Sequence, residues 1–68
     1  MRPENHSFIG RTYQAHVPEL GGEVRITVLM FDGRRFFVQD AAGRRATMPL
    51  LKLERMVQRG LAQEVGRL

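Results

Sequence analysis

The chain has no cysteine and no tryptophan, and only one tyrosine among its 68 residues. Without cysteine there is no disulfide and no thiolate metal site, which suits a reducing compartment, and the chain is read as cytoplasmic. No apolar run approaches the roughly 20 residues of a membrane-spanning helix, and no signal-peptide pattern opens the sequence, so no membrane role is expected. The two histidines, His6 and His16, have no acidic cluster beside them, which leaves a metal centre without ligands. His6 and Ser7 are adjacent but lack an acid to orient the imidazole, and a catalytic triad needs three groups held on rigid elements. The glycines match no phosphate-loop spacing. No catalytic residue, metal or cofactor is therefore expected: the chain reads as a binding protein, not an enzyme.

Small size sets a second bound. A chain this short buries roughly 60% of its unfolded surface. Its core rarely supplies more than about 3–5 kcal/mol, so support from a partner or from homo-oligomerisation is expected.

What the sequence has in excess is positive charge. The net charge is +4, the isoelectric point is near 11.1, and all but one of the eleven basic residues are arginine. Guanidinium forks match phosphate and carboxylate geometry, so a nucleic acid, or an acidic or nucleic-acid-handling protein, is the expected partner. The codon bias of a GC-rich genome would raise arginine as well.

The organising stretch is Glu23–Ala41, two β-branched and aromatic runs that meet at Asp32-Gly33. Such a pair between apolar runs signals a type I′ hairpin. With those two residues as the loop, Phe31 faces Arg34, Leu29 faces Phe36, Val28 faces Phe37, Thr27 faces Val38 and Arg25 faces Asp40. The last pair sets opposite charges across the ladder. Ahead of the hairpin, residues 1–7 read as a flexible tail and Phe8–Val17 as a strand in which Ile9, Tyr13, Ala15 and Val17 share one parity, with a bend at Gly10. Pro18–Gly22 forms a turn that lets this strand pair antiparallel with the next.

Beyond the hairpin, Ala41-Ala42-Gly43 suits a three-residue loop that pairs Asp40 with Arg44, Val38 with Ala46 and Phe36 with Met48. Asp40 would then lie between Arg25 and Arg44. Thr47 is expected to cap a helix of about ten residues, with Pro49 in its first turn and Gly60 just past its end. Leu50, Leu53, Val57 and Leu61 form its apolar stripe, and Lys52, Arg55 and Arg59 its basic one. A brief last strand follows over Leu61–Val65, with a frayed end after it. Residues 8–66 thus read as a single α+β, mainly β domain of order β-β-β-β-α-β. That order resembles a small SH3-like barrel, a curled antiparallel sheet with one short helix before its last strand.

Parity divides the hairpin into two apolar faces. One carries Leu29, Phe31, Phe36, Val38, Ala46 and Met48; the other carries Val24, Ile26, Val28, Met30 and Phe37 beside Arg35, Gln39, Arg45 and Thr47. One short helix covers a single face, so the sheet is expected to curl, and Val24, Ile26, Val28 and Met30 to form an interface with a second copy or a partner. The candidate nucleic-acid-binding residues are Arg34, Arg35, Phe37, Arg44 and Arg45 with the helical Lys52, Arg55 and Arg59. A basic sheet surface with an aromatic is how small β folds grip single strands. The alternative is a protein-interaction module, such as a phage or plasmid inhibitor that docks on a larger complex through an apolar face or an edge strand.

Overall fold

The computed structural model describes residues 8–67; the expected tail, with His6 and Ser7, lies outside them. In chain order the elements are β1 (Arg11–Val17), a 3₁₀ turn (Pro18–Leu20), β2 (Gly22–Phe31), β3 (Arg35–Asp40), β4 (Arg45–Pro49), α1 (Leu50–Gln58) and β5 (Ala62–Arg67). The strands form one antiparallel sheet in the order β4-β3-β2-β1-β5. The sheet is open, with β4 and β5 as its edges; a closed barrel is not seen. No helix among the described residues is long and apolar enough to cross a membrane.

The hairpin reverses one position later than expected. Phe31 pairs with Phe36 and Met30 with Phe37, so Gly33-Arg34 is the two-residue loop. Of these two residues only Gly33 has positive φ (102°), as at the first central position of a type II′ turn, whereas type I′ would need it at both. Asp32 is drawn out of the loop by its own side chain. Its Oδ1 accepts the backbone N–H groups of Arg34 at 2.9 Å and Arg35 at 2.8 Å. These two donors, Arg35 first, hold the Asp32 carboxyl below its usual pKa.

A bulge at Leu29 then resolves the two apolar faces. Past it the pairs are Val28 with Val38, Thr27 with Gln39 and Ile26 with Asp40. The extra residue changes parity within β2, so Ile26 and Val28 join Phe31, Phe36 and Val38 on one side. Burying Ile26 and Val28, each 0% exposed, contributes about 1.5–3 kcal/mol apiece. An unbulged β2 would leave one apolar set in water. The expected interface face is therefore corrected: Ile26 and Val28 are core, Val24 packs against the core, and Met30 alone of the four points outward, 54% exposed. The Arg25–Asp40 pair is also absent, because Asp40 lies opposite Ile26 and Arg25 opposite Gln14.

Tyr13, Ala15 and Val17 of β1, Met48 of β4 and Ala62 of β5 complete the sheet's contribution to the core, and Leu53 and Met56 of α1 cover it. Phe36 is the centre of an aromatic group, with Phe31 at 4.7 Å and Phe8 edge-on at 5.5 Å. Ile9, of one parity with Tyr13, Ala15 and Val17 in the sequence, is 37% exposed in the turn before β1, while neighbouring Phe8 is buried.

The β3–β4 loop follows expectation. Asp40 N–H donates to Arg44 O at 2.9 Å, and Val38 pairs with Ala46 and Phe36 with Met48. The same ladder corrects the helix start. Pairing continues to Arg35 opposite Pro49, so Thr47 is a strand residue facing Phe37, and no side chain caps α1. Instead Leu50 N–H, one of the unpaired donors of the first turn, bonds Arg34 O at 3.2 Å.

The far end of α1 is a Schellman motif. Leu61 N–H donates to Met56 O at 2.8 Å and Gly60 N–H to Val57 O at 3.2 Å, with Gly60 at φ 74°. A Cβ there would meet nothing within 4 Å, so Gly60→Ala tests backbone strain alone. It is expected to cost about 1–2 kcal/mol, read as a lower urea midpoint with unchanged slope. Leu61, expected in the apolar stripe, lies past this cap and is 60% exposed.

Candidate nucleic-acid interface

With the core residues turned inward, the other side of the sheet is a mostly polar surface. Row by row, Thr12, Thr27, Gln39 and Arg45 lie abreast across β1 to β4, and Met30, Phe37 and Thr47 form the next row across β2 to β4. Arg35, opposite Pro49, lies two residues along β3 from Phe37, about 6.7 Å away. The Thr12 and Thr27 hydroxyls hydrogen-bond at 2.9 Å, Arg45 Nε donates to Gln39 Oε1 at 3.0 Å, and Arg25 Nε donates to Gln14 Oε1 at 3.3 Å. Phe37 is half-buried and is the one phenyl ring on this face among the described residues. Aromatic contact, hydrogen-bonding groups and guanidinium groups thus share one surface.

Of the eight residues expected to bind nucleic acid, Arg35, Phe37 and Arg45 come together here. Arg34 is in the adjoining hairpin loop. Lys52, Arg55 and Arg59 are exposed on the helix side, across the core from this face. Arg44 has a structural role. Its Nε donates to Asp40 Oδ2 at 2.7 Å, and its Nη2 donates to the carbonyl of Leu20 at 3.0 Å, tying the β3–β4 loop to the 3₁₀ turn. Asp40 Oδ1 also accepts the backbone N–H groups of Ala42 at 3.0 Å and Arg44 at 2.8 Å. Burial of the Asp40 carboxyl acts to raise its pKa, but the Arg44 N–H, the Arg44 guanidinium and the Ala42 N–H outweigh it, and the net direction is down.

Sequence reasoning missed Arg25 as a surface cation because it was paired with Asp40. Its alternation with Ile26 and Val28 marks it as outward once those two are taken as core. Beside the Asp40–Arg44 pair lies a shallow cavity of about 260 Å³ lined by Val24, Arg25, Asp40, Ala41, Ala42 and Arg44. His16 is exposed on the outer face opposite Glu23.

No protein-family model, curated protein or solved structure matches the chain.

Proposed function

We propose that the protein is a small, non-enzymatic nucleic-acid-binding module of the cytoplasm that holds single strands on the outer face of its sheet. The observation that supports this reading is the placement of Phe37 on the outer face of β3, with Arg35 two residues away on the same strand and Arg45 on β4. A base stacks on the ring, phosphates meet the guanidinium groups, and Gln39 and Thr47 offer hydrogen bonds to base edges or sugar. Such a face favours single strands, because a duplex hides its bases from a ring on a flat surface. Strand order, with a helix between β4 and β5, supports placing the fold among small SH3-like barrels, α1 spanning the gap between the two edges.

Binding of a labelled single-stranded oligonucleotide tests the reading. Phe37→Ala is expected to weaken it by about 1–3 kcal/mol, roughly 5- to 150-fold. Arg35→Ala with Arg45→Ala should reduce the slope of log affinity against log salt by roughly 1.4, or 0.7 for each lost phosphate contact. Unchanged affinity in both variants would sink the assignment. A second reading follows from the outward Leu29 and Met30, 38% and 54% exposed, which form an apolar corner beside Phe37. A protein partner or a second copy seated there would bind with little dependence on salt, and Met30→Asp would release it.

A further inference from the structure

Apart from Arg34 in the β2–β3 loop, the cations whose side chains are described fall into two kinds. Arg11 and Arg44 are ion-paired, to Glu64 at 3.4 Å and to Asp40 at 2.7 Å. Arg25, Arg35 and Arg45 on the outer sheet face and Lys52, Arg55 and Arg59 on the helix side have no carboxylate within ion-pair distance among the described residues. The second group is itself split by the core. Leu53 and Met56 turn one side of α1 onto the sheet, so the three helical cations point away from it.

Those three cations form a distinct kind of surface. Positions 52 and 55 in α1 and 59 at its C-cap are separated by three and four residues, which puts them on one side of the helix over about 10 Å. Over that reach the long side chains can meet successive phosphates of one backbone. No aromatic residue lies in α1, so it offers no ring platform for an unpaired base. The half-buried Glu54 is the one acid in the helix. Charge without stacking selects phosphate backbone, whatever the base sequence.

We infer that Lys52, Arg55 and Arg59 form a second site, for the phosphate backbone of duplex nucleic acid, so that one molecule holds a duplex on its helix and a single strand on its sheet. The helical site stands on its own observations, whereas simultaneous holding rests on the sheet-face reading above. A protein with two such sites would tether a single-stranded segment to a neighbouring duplex.

The test uses the full chain, a biotinylated DNA duplex on beads and a fluorescent single-stranded oligonucleotide. The wild type should retain the fluorescent strand on duplex-coated beads, and adding single strand should not release protein from the duplex. The triple variant Lys52→Gln, Arg55→Gln, Arg59→Gln should lose that retention and lower the duplex salt slope by about 2–3, at 0.9 for each phosphate. Its single-strand affinity should stay within about twofold. Because all three side chains are exposed, its thermal midpoint should be unchanged; Arg55→Gln alone, with a slope loss of about 0.9, serves if the triple variant does not fold. Unchanged duplex affinity and slope in these variants overturn the helical site. Release of duplex by single strand overturns simultaneous holding. The sheet-face reading fails differently, with Arg35→Gln and Arg45→Gln leaving single-strand affinity intact while duplex retention still depends on α1.

Discussion

Val28→Asp is expected to unfold the domain, not to free a folded monomer from an assembly. Val28 is 0% exposed, opposite Val38, within the cluster of Ile26, Phe36, Leu53 and Tyr13. An aspartate there has to be ionised without a partner or protonated against its intrinsic pKa, and either course costs several kcal/mol. A core of this size supplies about 3–5 kcal/mol in all, so little folded protein should remain at 25 °C. Far-UV circular dichroism with size-exclusion chromatography reads the result. A native spectrum on a smaller particle would return Val28 to an outward face. Met30→Asp is the control: at 54% exposure it should keep the fold, with stability within about 0.5 kcal/mol of wild type.

Asp40→Asn is expected to lower the thermal midpoint by on the order of 10 °C at pH 7, through loss of a charge-assisted bond and a repulsive N–H facing Arg44. Asparagine is nearly isosteric and keeps an oxygen for the backbone donors, so the loss reports the charge. The wild-type carboxyl has a folded-state pKa below its unfolded value near 3.9. Its contribution is therefore complete above that unfolded value and disappears as pH falls through the lower folded one. The gap between wild type and variant should be constant from pH 7 to about 5 and shrink below about pH 4. Asp32, lowered in the same direction by the Arg35 and Arg34 N–H groups, adds to the acid sensitivity that both proteins retain. A gap that stays constant down to pH 2 would show that the Asp40 charge does not stabilise the fold.

Legibility followed the range of the interactions concerned. The loop at Ala41-Ala42-Gly43, the cap at Gly60 and the pairing of Phe36 with Met48 could be read from residues within a few positions of one another. The β2–β3 register could not. Asp32-Gly33 marked a reversal, yet the Asp32 carboxylate recruits the N–H groups of Arg34 and Arg35 and moves the loop onward. Nothing in the local pattern marked Leu29 as an extra residue. Thr47 shows the same limit: as a helix cap it competes with five residues of β4 pairing, and the ladder wins.

The candidate site inherited that division. Arg35, Phe37 and Arg45 alternate on adjacent strands whose register was correctly read, so their shared face was legible. Arg25 and the structural role of Arg44 were not, because each depended on how β2 is placed against Asp40. The separation of Lys52, Arg55 and Arg59 from the sheet cations required knowing which side of the sheet α1 covers.

Amino-acid order alone determined that this chain is a small, basic, mainly β domain with one short helix, since turn chemistry and side-chain periodicity act over a few residues. Tertiary structure brought members of both apolar sets onto one side of the sheet as core and left a mostly polar face outside. The physical reason is that a one-residue bulge is a local disruption, whereas an apolar strand face left in water forfeits burial along its whole length.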